Sequence, residues 1–259
     1  MPSVFYKEYG GGYPLIFLHG FCETNFVWQG LAESLQDEYR VICPDLPGFG
    51  KSPILKEDFG IDEVASSIKV LLEELDIEKC IVFGHSLGGY VTLSLLRQFP
   101  ELIDGFCLFN SSVYADSEEK KENRNKLIEH IQENGIKPFI RTFVPSLFYI
   151  ERLDEFDFVI KQIREEGLKM DEKAVMGYAA AMRDREESID ILKKYSAKAL
   201  IIAGEEDNNV PKAVSQKMAE MVGASRYYLL PASAHMSMFE QKARSAEIIK
   251  FFTNTILNQ

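Results

Sequence analysis

The chain has 259 residues, 46% of them hydrophobic, and a formal net charge of −11. That length and apolar content suffice for one large core, the size of a single α/β domain. The acidic balance, without any lysine- or arginine-rich cluster, argues against nucleic acid and anionic membrane as partners.

The first residues, MPSVFYKEYGGGY, hold no basic segment followed by an apolar one, so no secretory signal is expected. Residues 4–9 alternate, Gly10-Gly11-Gly12 makes a turn, and residues 14–18 form a short apolar strand. Residues 40–43 form another strand, ending at Pro44-Asp45. Over residues 61–75 the apolar positions Ile61, Val64, Ala65, Ile68, Leu71, Leu72 and Leu75 share one face of a helix. A third buried-type strand spans 80–83, and a helix over 91–99 stops before Pro100. Strands follow at 105–109, 198–203 and 227–230, then a terminal helix at about 241–256. Strands alternating with helices predict an α/β fold, a mainly parallel sheet flanked by helices. Short buried runs suit parallel strands, which are covered on both faces.

Residues 112–192 break this rhythm. They are charged and helix-prone, with aromatics at intervals: Phe139, Phe143, Phe148, Tyr149, Phe156, Phe158 and Tyr178. The expected organisation is a core of residues 1–111 and 193–259 with a helical cap, 112–192, inserted between two strands. No apolar run approaches the ~20 residues that span a bilayer. Cys22, Cys43, Cys80 and Cys107 form no CxxC pair, and they read as buried free thiols in a reducing, cytoplasmic setting.

Gly84-His85-Ser86-Leu87-Gly88 fits G-x-S-x-G between a predicted strand and a predicted helix. A strand that turns sharply into a helix holds its serine in a strained backbone conformation. Side chains two residues either side would collide, so glycine is needed at 84 and 88. The serine hydroxyl then stands above the carboxyl edge of the sheet. The Leu87 N–H, at a helix N-terminus, can donate to a developing oxyanion. A glycine-rich phosphate loop is the competing reading, but no lysine precedes the serine as a Walker loop requires.

The chain here resembles the α/β-hydrolase superfamily, through five motifs in order: LIFLHGF (15–21), PDLPGFGKS (44–52), GHSLGG (84–89), IIAGEEDNNVP (201–211) and ASAHMSMFEQ (232–241). The resemblance implies an α/β-hydrolase fold with a helical cap and a triad in the order serine, acid, histidine. Ser86 is the expected nucleophile, and it needs a base. Four histidines compete. His19 reads as a brace for the loop it sits in, and His85 should point away from the hydroxyl. His130 reads as a solvated helix residue. His235, in a loop of small residues after the last strand, is the expected base. An anion must orient it, and Glu205, Glu206 and Asp207 are adjacent candidates. Asp207 fits the family spacing best, with Glu206 next. Some relatives carry this acid after an earlier strand, where this chain has Asn110 and Ser111, neither able to hold the charge. By resemblance, the second oxyanion donor beside Leu87 is the backbone N–H of Phe21. Asp45, Gly48 and Gly50 read as a structural turn, and Trp28 as core.

There is no HExxH, no His/Cys pairing at ligand spacing and no GxGxxG after the first strands, so neither a metal nor another cofactor is implied. Serine at 86 counts against dehalogenase and epoxide hydrolase chemistry, where relatives carry aspartate. The expected activity is acyl transfer to water on a small ester, thioester or lactone. The cap aromatics suggest a substrate with an apolar acyl or alcohol part, although many of them serve to pack the cap. A non-hydrolytic small-molecule binder on the same fold is the alternative class, and perhydrolase or lyase chemistry could use the same triad. Neither the physiological substrate nor the oligomeric state can be read from the sequence.

Overall fold

Seven strands form one sheet in the computed structural model, which describes residues 4–55 and 58–258. They are β1 (Tyr6–Tyr9), β2 (Tyr13–Leu18), β3 (Tyr39–Pro44), β4 (Cys80–His85), β5 (Ile103–Phe109), β6 (Ala199–Gly204) and β7 (Tyr227–Leu230). Their order across the sheet is β1-β3-β2-β4-β5-β6-β7. β1 runs antiparallel to β3, and the other pairings are parallel. Every residue of β4 and β6 is buried, as a doubly covered parallel sheet demands.

The strand order reverses between β2 and β4: the chain leaves β2 for β3 on one side and returns to β4 on the other. A crevice opens at the carboxyl ends of strands at such a switch point. The HG dipeptide follows β2 and Ser86 follows β4, so the topology alone puts both at that crevice.

Helices cover both faces. Successive strand residues point to opposite sides. Phe83 faces the terminal helix α11 (Lys242–Leu257), 6.4 Å from Phe252, whereas Gly84 faces α3 (Leu87–Gln98) at Gly88 and Thr92. α1 (Gln29–Leu35) packs on α11, and α2 (Ile61–Glu74) packs on α3. α3 begins at Leu87, four residues before its apolar periodicity, because the turn at Ser86 enters the helix with no intervening loop. Gly88 and Gly89 therefore lie in its first turn, where packing overrides their poor helix propensity. Trp28 closes a short 3₁₀ turn, Asn25–Trp28, instead of lying in α1, and it is fully buried.

Between β5 and β6 come α4 (Glu118–Asn134), α5 (Ile136–Ser146), α6 (Asp157–Gly167), α7 (Glu172–Asp184) and α8 (Ile189–Lys194). α4 packs on α7, α5 on α6, and α7 reaches α2. α8 packs on α3 and on α9 (Lys212–Val222), so a boundary at residue 192 would cut a helix that lies on the sheet's own layer of helices. A four-residue helix, α10 (Ser237–Glu240), precedes α11. No helix among the described residues is long and apolar enough to cross a membrane.

Candidate active site

Ser86 sits at φ 50°, ψ −113°, in the strained region reached by few non-glycine residues. Its N–H donates to the Phe109 carbonyl at 3.1 Å, and its carbonyl accepts from Ser111 Oγ at 2.7 Å. The flanking glycines are sterically required. A Cβ at 84 would lie 2.3 Å from the Gly88 carbonyl oxygen, and one at 88 would lie 2.3 Å from that of Leu18. Gly89 is needed too, since a Cβ there would meet Ser111 Oγ at 2.2 Å.

His235 and Asp207 come together as a buried pair. His235 Nδ1 lies 2.8 Å from Asp207 Oδ2, with side-chain exposures of 4% and 0%. Asp207 Oδ1 accepts the N–H groups of Asn209 and Val210, and Oδ2 also accepts from Asn110 Nδ2 at 3.0 Å. Burial by itself would raise the Asp207 carboxyl, but the His235 ring and these donors hold it below the usual carboxylate range. Burial likewise opposes the charged form of His235, and the Asp207 carboxylate outweighs it, raising the imidazole above its ordinary value. Glu206 is exposed, with its N–H on the Ser233 carbonyl, and Glu205 pairs with Lys212 at 2.7 Å. Of the three adjacent acids, only Asp207 faces the ring.

The loop of residue 235 lies against the turn of residue 86. The His235 carbonyl is 2.9 Å from His85 Nε2, and the two rings are 4.8 Å apart. Among the described residues no hydrogen bond joins the Ser86 hydroxyl to His235 Nε2, and neither atom bonds to any other of them. Nor does any side chain or turn carbonyl among the described residues accept the N–H of Phe21 or Leu87.

His19 braces its loop: Nε2 accepts the Leu46 N–H at 2.9 Å and Nδ1 donates to the Gly20 carbonyl at 2.9 Å. Burial lowers its pKa, in keeping with a neutral ring in that role. His130 is exposed on α4. Asp45 forms the expected turn, accepting from Asn25 and from the Lys51 N–H, and Gly50 crowds its carboxylate too closely for any Cβ. Among the insertion's aromatics, Phe148, Phe156 and Tyr178 are buried as packing, and Phe158 is 70% exposed. Phe139 and Phe143 stack on each other at 4.8 Å and touch Phe21 at 6.1 and 5.9 Å. A separate cavity of about 1040 Å³ lies among α2, α3 and α7; neither Ser86, Asp207 nor His235 lines it.

Three residues of the site escape a reading of the sequence. Glu23 is a carboxylate buried below His85, Asn110 is a donor to Asp207, and Glu240 holds the histidine loop. The signals on offer were slight: Glu23 stands three residues after Gly20, and Asn110 lies where some relatives carry the acid. No group of three or more His, Cys, Asp or Glu side chains among the described residues is placed to hold a metal ion.

The family description "alpha/beta hydrolase fold" matches residues 13–242. The uncharacterized hydrolase YugF of Bacillus subtilis (strain 168) is 28% identical over 273 residues, covering 96% of this chain and 94% of that protein. The pimeloyl-(acyl-carrier protein) methyl ester esterase of Aeromonas salmonicida (strain A449) is 26% identical over 257 residues, 96% of this chain and 99% of that one. Among solved structures, a thermophilic esterase from Thermogutta terrifontis (malate bound) superposes with a TM-score of 0.92 at 28% identity, covering 98% of this chain and 93% of that one. The chain belongs to the α/β-hydrolase fold family. It is, by the same likeness, a hydrolase.

Proposed function

We propose that this chain is a cofactor-free serine hydrolase that cleaves a small ester, thioester or lactone through an acyl-enzyme on Ser86. The carrying observation is the buried Asp207–His235 pair, whose free Nε2 belongs to a loop packed against the turn that strains Ser86. Asp207 accepts the Nδ1–H, which leaves Nε2 as the basic nitrogen. His235 takes the Ser86 proton as the hydroxyl attacks the carbonyl carbon. Such serine–histidine bonds often tighten only with substrate in place. The Phe21 and Leu87 N–H groups, uncommitted to other loop partners, receive the oxyanion, and each contributes roughly 10²–10³ in rate. His235 then protonates the leaving group, and a water activated by the same ring releases the acid.

The helical insertion, residues 112–192, serves as the cap in this reading, and its last helix, α8, rests on the core's layer of helices. Phe139 and Phe143, packed at an angle against Phe21, supply an apolar wall for the acyl or alcohol part of the substrate. The esterase names of the relatives support an ester as the substrate. Four buried free thiols support a reducing, cytoplasmic setting.

A fluorophosphonate probe tests the proposal. Wild-type protein should be labelled, and Ser86→Ala should lose both label and turnover while keeping its fold. Well-folded wild-type protein that takes no label would end the serine-hydrolase reading. A series of p-nitrophenyl esters of rising chain length, then acyl-thioesters and lactones, assigns the substrate class.

A further inference from the structure

We propose that Glu23 and His85 form a buried positioning pair that ties the oxyanion loop to the main chain of the base; the inference rests on the hydrolase reading above. Both side chains are sealed from solvent, 1% and 0% exposed, and lie 3.0 Å apart. Glu23 Oε2 accepts the Gly20 N–H at 2.7 Å and faces His85 Nδ1. His85 Nε2 faces the His235 carbonyl at 2.9 Å. A carboxylate and a peptide carbonyl both accept, so both ring nitrogens donate, and the pair as a whole is neutral. In agreement, burial alone would raise the Glu23 carboxyl, but the His85 ring and the Gly20 N–H hold it below the ordinary carboxylate range.

The pair spans three segments: the loop after β2, the end of β4, and the loop between β7 and α10. Position 20 must be glycine for this to work, since a Cβ there would lie 2.7 Å from His85 Nδ1 and 2.9 Å from Glu23 Oε2. Burying an ion pair stabilises a fold less than apolar packing would. Its effect here is positional: one proton-bearing ring sets the distance between the Phe21 N–H, one residue beyond Gly20, and the imidazole of His235.

The pair also governs the charge around His235. The charged and titratable groups that act on that ring are Asp207 from the β6–α9 loop, Glu23 from the loop after β2 and Glu240 from α10, with the His85 ring of β4 4.8 Å away. Replacing His85 by a neutral side chain leaves the Glu23 carboxylate uncompensated. The unbalanced negative charge then favours protonated His235.

Nitrogen-15 NMR of the wild-type imidazoles and pH profiles of three variants test this together. Both His85 nitrogens, each facing an acceptor, should carry a proton in the spectrum of the folded wild type. His85→Gln should lower kcat by roughly ten- to a hundred-fold with a smaller change in KM. It should also move the acid limb of the profile up by about one pH unit. Glu23→Gln removes a negative charge, so it should not move that limb up, and the double variant should bring it back without restoring kcat. An unprotonated His85 nitrogen in the wild type, or an unmoved limb in folded His85→Gln, overturns the proposal. The wild-type spectrum decides the matter alone if a variant does not fold. Because that spectrum needs no substrate, it stays readable even if the protein turns over no ester, an outcome that would count against the hydrolase reading instead.

Discussion

Asn110 joins Asp207 to the histidine loop: its Nδ2 donates to Asp207 Oδ2 and to the Ala234 carbonyl, each at 3.0 Å. Its backbone occupies φ 47°, a left-handed conformation that asparagine tolerates better than alanine does. Asn110→Ala therefore loses a hydrogen bond to a buried charge and gains strain. Thermal or urea unfolding should show a loss of about 2–3 kcal/mol. The remaining activity should show a lowered kcat with a smaller change in KM. An unchanged kcat would mean that Asp207 holds its place without this amide.

The Asp207–His235 pair sets opposite optima for activity and stability. A base must be neutral, so kcat/KM should fall as pH drops through the His235 value, which lies above the ordinary 6.5. A raised imidazole stabilises the fold fully below its unfolded value, and the contribution is lost as pH rises through the folded one. Asp207, held below its ordinary 3.8, contributes above that value and loses the contribution as pH falls through its folded one. The pair thus stabilises most between about pH 4 and 6.5, on the acid side of the activity plateau. Melting temperatures across pH, for wild type and Asp207→Asn, measure this, and the variant should lose the maximum. It should also lose about 10⁴ in kcat, since Glu206 points to solvent and cannot replace the missing acid.

Gly88 and Gly11 make a steric comparison. A Cβ at 88 would lie 2.3 Å from the Leu18 carbonyl oxygen and 2.8 Å from that of His19, both main-chain atoms that cannot step aside, whereas position 11 has open space. Gly88→Ala should cost several kcal/mol or fail to fold, on the order of other strained core substitutions. Gly11→Ala should shift stability by less than about 1 kcal/mol. Equal unfolding midpoints for the two variants would refute the close approach of α3 to the end of β2.

Glu240 fastens the helical insertion to the histidine loop. Its Oε1 accepts the Tyr149 N–H at 2.6 Å, and its Oε2 accepts the Ala234 N–H at 2.7 Å. Arg152 reaches back to the Glu240 and Ala232 carbonyls, and the His235 N–H donates to the Leu147 carbonyl. Glu240→Gln keeps the shape but can accept at only one end, and its amide would face a second N–H. A loss of about 2–3 kcal/mol is expected, together with faster proteolysis near residues 147–152. Wild-type stability in this variant would show that the two donors find other acceptors.

The strands, the terminal helix and the G-x-S-x-G turn were legible in the sequence because their signals are short-range. An apolar run of a few residues marks a buried strand. The collision that requires glycine at 84, with the Gly88 carbonyl, arises within one turn of chain, whereas glycine at 88 is required by the distant Leu18 and His19 carbonyls. The motif order likewise pointed to Ser86 and His235 at the two loops that meet in the structure. Tertiary structure alone decided the rest. The family spacing favoured Asp207 among three neighbouring acids, but which of them faces the ring depends on how the loop after β6 closes over residues 233 and 234. The parts of Glu23, Asn110 and Glu240 depend on partners 62, 97 and 91 residues away. A buried carboxylate and a solvated one look alike along the chain; what separates them is whether distant donors converge on the oxygens, and that is fixed only when the sheet brings its loops together.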